Sequence, residues 1–154
     1  MIRILIAIPL IIAAFYVAVM FLAWSFQDRL IFPASQELVE PEEGYELILL
    51  NTADGLQLRA FYRMAAPGKP TVVYFHGNGG TLRGSMAANA RFAEAGIGLL
   101  LVNYRGYGSN PGEPSEEGFY QDGRAAMAWL GREGISLSNT IIAGNSIGSG
   151  TAVQ

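Results

Sequence analysis

Cysteine is absent from this chain of 154 residues, and histidine and lysine occur once each. The lack of cysteine excludes disulfide bonds, thiolate nucleophiles and cysteine-ligated metal sites. The net charge is only −3, and with Lys69 as its single lysine and no run of arginines the sequence has no basic patch for nucleic acid. No transition-metal or nucleotide site is visible, so we expect no cofactor.

Charge is missing altogether from residues 4–26, where much of the 51% hydrophobic content is concentrated. At about 1.5 Å per residue, a helix of that length spans the roughly 30 Å hydrocarbon core of a bilayer. Trp24 has a position suited to the membrane interface, and Pro9 is tolerated inside membrane helices. The sequence therefore predicts a transmembrane signal-anchor helix over residues 1–27.

Two other interpretations of this segment compete with the anchor. A cleaved signal peptide would have a shorter apolar core and an Ala-x-Ala site, and a buried core helix would be shorter and less purely apolar. Arg3 precedes the apolar run, whereas Asp28 and Arg29 follow it. The positive charge before the helix favours a cytoplasmic N-terminus. We therefore expect a single-pass membrane protein whose folded domain is extracytoplasmic, periplasmic or luminal.

A polar stretch, 28–44, contains two prolines and four glutamates and predicts a linker to a domain over 45–154. That domain opens with two strand-like runs, 45–51 and 56–63. They flank Ala53-Asp54-Gly55, which is a turn signal. Together these features predict an antiparallel hairpin.

From residue 71 onward, apolar strands alternate with helical patterns. The runs 71–75, 97–102 and 140–143 are continuously apolar, as in strands that are buried on both faces of a parallel sheet. Helical patterns at 82–95 and 115–132 separate them. This order predicts right-handed βαβ units and hence an α/β fold class, preceded by the antiparallel hairpin and one transmembrane helix.

The third run leads into Gly144-Asn145-Ser146-Ile147-Gly148. A Gly-x-Ser-x-Gly sequence between a strand and a helix is the form of a nucleophile elbow, a turn that exposes a serine in a strained conformation. Side chains at Gly144 and Gly148 would collide in so tight a turn. An ordinary glycine-rich turn with an incidental serine is the alternative, because the chain has 19 glycines.

Glycine-rich loops follow all three apolar runs, at the sheet edge where open α/β sheets bind ligands. The loops are His76-Gly77-Asn78-Gly79-Gly80, Asn103-Tyr104-Arg105-Gly106-Tyr107-Gly108 and the elbow. Taken in this order, they resemble the α/β-hydrolase superfamily, and in particular its membrane-anchored, single-domain serine hydrolases of the BEM46-like kind. The resemblance runs from about Leu30 to the last residue, and the anchor followed by Gln27-Asp28-Arg29-Leu30-Ile31-Phe32-Pro33 is typical of that branch.

The resemblance implies a role for each matching position. Ser146 would be the catalytic nucleophile that forms an acyl-enzyme, and the backbone N–H groups of Asn78 and Ile147 would form the oxyanion hole. His76 would brace the oxyanion loop rather than act as the general base. Four glycines would support the loop and the elbow: Gly77, Gly79, Gly144 and Gly148. A phosphate-cradling turn is the alternative for the loop, but no Gly-Lys-Ser/Thr follows.

Other polar residues near these loops have more ordinary interpretations. Tyr104, Arg105 and Tyr107 either line the mouth of the pocket or pack within their loop. Asp122, on a helix, reads as a solvated or capping carboxylate, and Asp54 belongs to a turn.

The superfamily order of the triad is Ser, then Asp or Glu, then His. Only eight residues follow Ser146, and none is acidic or histidine. We therefore expect this chain to be the N-terminal fragment of a longer hydrolase, nearly inactive by itself, with an unpaired edge at its last strand. A naturally truncated, membrane-tethered remnant is a further hypothesis.

For the parent protein, two functions remain open. The first is a membrane-anchored serine hydrolase that cleaves an ester, thioester or amide of a small-molecule or lipid-like acyl substrate. The second is a non-catalytic α/β-hydrolase-fold module that binds a ligand or partner. The sequence does not identify a protein partner, so protein partners stay unknown.

Overall fold

The computed structural model describes residues 2–154, except for the side chains of residues 2–6 and 28–30. It divides into a unit that ends at Ile31 and a second unit, Phe32–Gln154. The predictions for Arg3, Asp28 and Arg29 concern side chains that lie outside the described residues.

The first unit is one helix, α1 (Ile2–Ile31), which continues through Pro9. Its segment Ala7–Gln27 is 21 residues long, apolar and unburied, so the helix is long and apolar enough to cross a membrane. The Ser25 hydroxyl donates to the Phe21 carbonyl at 2.8 Å, which satisfies a polar group within the helix itself.

The second unit contains a five-stranded sheet in the order β1-β2-β4-β3-β5. Strands β1, β2 and β4 pair antiparallel, whereas β4, β3 and β5 pair in parallel. The strands are β1 Glu46–Asn51, β2 Gln57–Arg63, β3 Thr71–Phe75, β4 Gly98–Val102 and β5 Thr140–Gly144. The predicted hairpin and the predicted parallel units are both confirmed.

Four short or medium helices connect and cover these strands. They are α2 Leu82–Ala88, α3 Ala90–Glu94, α4 Glu116–Arg132 and α5 Ile147–Ala152, with one 3₁₀ turn at Leu137–Asn139. The start of α4 is capped as expected: Ser115 Oγ accepts from the Gly118 N–H at 3.1 Å.

The single helix predicted over 82–95 is in fact two helices, α2 and α3. Asn89 lies between them with φ −106° and ψ 11°, outside helical geometry. Its side-chain amide donates to the Ser85 carbonyl at 2.8 Å. An asparagine amide that binds a nearby carbonyl offers the backbone an alternative to the helical ladder, which accounts for the break.

Both faces of the sheet are covered by hydrophobic residues. On one face, α4 packs through Phe119, Ala126 and Leu130 against side chains of β2, β3 and β4. On the other face, Leu82 and Met86 of α2 pack against residues that alternate with the first set. Every residue of β4 is buried as a result.

The prediction that residues 140–143 form a buried strand is wrong in its burial. The strand forms, as β5, but Ile141 is 50% exposed and Ile142 is 44% exposed. Within the described residues, β5 pairs with β3 alone and therefore lies at an edge of the sheet. Apolar periodicity indicates a strand, but burial depends on neighbours that the periodicity does not report.

The structure also differs from the polar linker predicted over 28–44. Helix α1 extends to Ile31, and the residues after it belong to the domain unit. Val39 is 4% exposed and packs in the second hydrophobic cluster. The Phe32 ring lies edge-on to Phe119, with 5.1 Å between ring centroids. A few apolar side chains within a polar stretch are sufficient to bind it to the domain.

Candidate active site

Ser146 lies in a strained turn between β5 and α5. Its backbone has φ 52° and ψ −117°, a conformation that costs a non-glycine residue on the order of 1–3 kcal/mol. The residue is exposed and occupies the N-cap of α5, and its carbonyl accepts from the Ser149 N–H at 3.0 Å. The turn thus presents a serine at the carboxyl end of a parallel strand.

The two glycines around Ser146 are required by the packing of the turn. A Cβ at Gly144 would lie 2.3 Å from the Gly148 carbonyl oxygen. A Cβ at Gly148 would lie 2.2 Å from the Phe75 carbonyl oxygen and 2.7 Å from that of His76. Only glycine fits at either position, because these neighbours are backbone atoms with little freedom to move. The elbow is therefore pressed against the end of β3.

The loop after β3 lies beside Ser146. The Asn145 N–H donates to the Phe75 carbonyl at 3.0 Å, and a Cβ at Gly77 would lie 3.4 Å from the Ser146 Cβ. The Gly80 N–H donates to the Gly77 carbonyl at 3.0 Å and closes a tight turn across residues 77–80. This segment is called the oxyanion loop after the role that the sequence predicts for it. The structure thus places the loop that contains Asn78 beside Ser146, and it places Ile147, the other predicted oxyanion donor, at the first residue of α5.

His76 is buried under this loop and is 3% exposed. Its Nδ1 lies 2.8 Å from the Gly77 carbonyl oxygen, and its Nε2 lies 3.1 Å from Asn103 Oδ1. Burial lowers its pKa below the usual 6.5, so the ring is neutral at pH 7. A neutral ring donates to one of these two oxygens, and both ring nitrogens face the loops rather than Ser146, so the arrangement supports a bracing role rather than that of a general base.

Two tyrosines from the loop after β4 complete the underside of the oxyanion loop. Tyr104 and Tyr107 are fully buried, and burial raises the pKa of both. The Tyr104 hydroxyl donates to the His76 carbonyl at 3.0 Å, and the Tyr107 hydroxyl donates to Asn78 Oδ1 at 3.0 Å. They pack within the loops, so the alternative that they line the pocket mouth is wrong.

Arg105 fixes the same loop through two carboxylates. Its side chain is 8% exposed and pairs with Asp122 at 2.8 Å and with Asp54 at 2.8 Å. The Arg105 N–H also donates to Asp122 at 2.9 Å. The hydrogen bond from the Arg105 side chain is the main reason that the pKa of Asp54 falls to about 2. The network connects the hairpin turn, the loop after β4 and helix α4.

The interpretation of Asp122 as a solvated or capping carboxylate is wrong, because its side chain is 0% exposed and paired with Arg105. Sequence reasoning also missed Asn110, whose amide donates to the Tyr104 carbonyl at 3.1 Å and whose oxygen accepts from the Arg59 N–H at 2.8 Å. The density of polar residues in 103–110 was the signal that could have indicated a hydrogen-bonded network there, whereas the sequence pattern predicts only a loop for this segment.

A pocket of about 250 Å³ opens next to the oxyanion loop. It is lined by the loop itself, by Asn145 and by small or polar residues of α2, but Ser146 is not part of its wall. The geometry therefore places a cavity beside the serine rather than around it. Among the described residues, no group of three or more His, Asp or Glu side chains is arranged to hold a metal ion.

Known proteins resemble the chain in both sequence and structure. An uncharacterized protein of Mycobacterium tuberculosis is 36% identical over 96% of this chain and 56% of its own length. The protein bem46 of Schizosaccharomyces pombe is 28% identical over 84% of this chain and 48% of its own length. A crystal structure of an alpha-beta hydrolase from Vibrio vulnificus superposes with a TM-score of 0.57 and 31% identity, over 65% of this chain and 35% of that one.

The chain belongs to the α/β-hydrolase superfamily. It is a BEM46-like member, as the resemblance of its loops predicted. No protein-family model matches the chain. This hydrolase-fold chain spans about half the length of the curated relatives that it matches.

Proposed function

We propose that the whole protein is a membrane-anchored serine hydrolase that cleaves an ester, thioester or amide through an acyl-enzyme on Ser146. The observation that carries the proposal is the strained, exposed serine, since backbone strain of this kind persists where it serves function. A binding module of the same fold has no use for it. The adjacent oxyanion loop and the superfamily membership of the chain support the same conclusion.

In the proposed reaction, Ser146 Oγ attacks the acyl carbon and forms a tetrahedral intermediate. The N–H groups of Asn78 and Ile147 donate to its oxyanion. The hydroxyl proton passes to a general base, which returns it to the leaving alcohol, thiol or amine as the acyl-enzyme forms. Water then attacks the acyl-enzyme by the same route and releases the acid.

We propose that the general base lies outside the described residues. His76, the single histidine of the chain, is held under the oxyanion loop by Gly77 and Asn103. Since the relatives are about twice as long as this chain, we place the histidine and its orienting carboxylate in the other half of the whole protein. The order Ser, acid, His of the superfamily agrees with that placement.

The substrate is proposed to be a small-molecule or lipid-like acyl compound. The apolar segment Ala7–Gln27 supports anchoring in a membrane as a single pass. The positive charge before the apolar run supports an extracytoplasmic domain. Impermeant maleimide labelling tests this topology: Leu137→Cys, at an exposed site of a cysteine-free chain, is labelled in sealed spheroplasts only if the domain faces outward.

The activity is tested on membranes from cells that express the complete open reading frame, treated with a fluorophosphonate probe. We expect covalent labelling of the parent protein and complete loss of labelling in Ser146→Ala. Ser138→Ala is the control, because Ser138 is an exposed serine in the 3₁₀ turn before β5 whose hydroxyl pairs with that of Ser136, and it keeps full labelling. If the folded parent is not labelled, the chain is a non-catalytic binding module of this fold.

A further inference from the structure

We propose that Tyr107 is a positioning residue that holds the oxyanion loop in its donating geometry. The inference rests on the proposed function, because the loop has a catalytic role only if Ser146 is the nucleophile. Tyr107 acts through the loop and does not itself face the serine or the substrate.

The hydroxyl of Tyr107 binds the side chain of a loop residue, Asn78. It donates to Asn78 Oδ1 at 3.0 Å. One phenol group therefore holds the side chain of Asn78. The backbone N–H of Asn78, the proposed oxyanion donor, is bonded to the same Cα that carries this held side chain.

Glycines give this loop little stiffness of its own. Gly77, Gly79 and Gly80 surround Asn78, and Gly79 has φ 68°. Glycine backbones reach many conformations at low cost, so the direction of the Asn78 N–H depends on contacts from outside the loop. Tyr107 provides such a contact from a different strand connection.

Tyr107 itself has a rigid position. Its side chain is fully buried, and its ring lies 5.4 Å from the ring of His76, centroid to centroid. Its N–H donates to the Tyr104 carbonyl at 3.2 Å, and its carbonyl accepts from the Asn103 amide at 3.3 Å. Because the Tyr107 hydroxyl is buried in a fixed position, it constrains the Asn78 side chain that it binds. Loss of a buried hydrogen bond of this kind is costly.

The residues around Tyr107 are fixed from two further directions. The next residue, Gly108, donates its N–H to the Ser35 carbonyl at 2.7 Å, so the segment after α1 covers the loop. Two residues earlier, Arg105 is paired with Asp122 and Asp54. Tyr107 is thus the point at which this supported loop reaches the oxyanion loop.

The test is Tyr107→Phe in the complete protein, assayed with an aryl ester and with the fluorophosphonate probe. The change removes one oxygen and keeps the ring. Because oxyanion geometry is sensitive to shifts of about 1 Å, we expect kcat and the probe-labelling rate to fall about tenfold, with KM within about twofold. Tyr120→Phe is the matched control: it removes the hydroxyl that donates to Glu116 at 2.5 Å on the surface of α4, and leaves kinetics unchanged.

A double-mutant cycle separates positioning from general loosening of the fold. Asn78→Ala keeps the backbone N–H but removes the acceptor of the Tyr107 hydroxyl. If Tyr107 acts through Asn78, the double variant loses little more activity than Asn78→Ala alone. Fully additive losses would overturn the proposal.

The outcomes of the two proposals are distinguishable. A parent protein that is labelled at Ser146, together with unchanged kinetics in Tyr107→Phe, overturns the positioning role and leaves the hydrolase intact. A fall in kcat that is matched by a rise in KM also overturns it, because that pattern indicates lost substrate binding. A folded parent that is never labelled overturns both.

Discussion

The two sides of the candidate site are built in different ways. On the side of the oxyanion loop, His76, Tyr104 and Tyr107 are buried, and hydrogen bonds connect them. On the other side, Ser146 is exposed at the end of β5, a strand whose Ile141 and Ile142 are themselves partly exposed. A buried polar network thus fixes the geometry of one side. On the other side, the close packing of glycines against the backbone holds a strained turn.

This difference shows where each kind of stabilisation resides. The buried network specifies the geometry of the oxyanion loop, because an unpaired polar group in that interior is costly. The elbow needs no such network, since its shape follows from the close approach of Gly144 and Gly148 to backbone atoms. We therefore expect substitutions on the two sides to act by different mechanisms.

The largest effect is expected from Arg105→Met, which attacks the network side. Removal of the guanidinium leaves Asp122, with 0% exposure, as an uncompensated buried charge. Breaking one partner of a buried pair costs about 3–5 kcal/mol, so chemical denaturation of the chain in detergent will show a loss of that size. Arg124→Met is the control: its pair with Glu117 is solvent-exposed and contributes at most about 1 kcal/mol. Equal losses in both variants would contradict a special role for the network.

Much of this structure could be predicted from local patterns in the sequence. Apolar runs, turn residues and glycine-rich loops were sufficient to predict the hairpin, the parallel strands and the positions of Ser146 and Asn78 at one sheet edge. These features depend on local patterns and on the rule that ligands bind at the carboxyl ends of strands. The family resemblance added the roles.

What the sequence did not predict depends on contacts between distant residues. Asp122 has the pattern of a surface helix residue, and only the fold brings it to Arg105, 17 positions earlier. The packing of Val39 depends on side chains of β2, β3, β4 and α2 that are distant from it in sequence. For β5 the sequence predicts the unpaired edge but not how far Ile141 and Ile142 are exposed. Periodicity reports the conformation of a segment but not its neighbours.

A smaller effect is expected from Gly148→Ala, at the contact between the two sides. The added Cβ would lie 2.2 Å from the Phe75 carbonyl oxygen, so α5 must move away from β3. Overpacking of this kind costs about 1–3 kcal/mol, and the accompanying shift of Ser146 will abolish probe labelling before the fold is lost. Gly150→Ala, on the same helix with no atom within 4 Å of the added Cβ, is the control. It will leave labelling intact and stabilise the helix slightly.

If Gly148→Ala unfolded the chain without a folded, unlabelled stage, the elbow would be part of the core rather than a separate strained element. Labelling and unfolding measured on the same samples at increasing denaturant separate the two results. Retained labelling in Gly148→Ala would show that the turn tolerates a displaced α5.

The smallest effect is the pH dependence that His76 confers on the network side. Burial lowers its pKa in the folded protein below 6.5, whereas the unfolded chain binds the proton near pH 6.5. The unfolded state thus takes up a proton first as the pH falls. The contribution of neutral His76 is complete above pH 6.5 and is lost below it, with a slope of at most about 1.4 kcal/mol per pH unit. Denaturation between pH 5 and 8 measures this slope.

His76→Gln removes the titrating group while it keeps a polar side chain near Gly77 and Asn103. The free energy of unfolding of this variant will be lower than that of the unsubstituted protein at pH 8. Its decline between pH 6.5 and 5 will be shallower. Parallel curves for the two proteins would mean that His76 is protonated in the folded state as readily as in the unfolded chain. In that case the ring would be accessible to protons. His76 would then not be part of a buried network, and the contrast with the exposed serine side would fail at this residue.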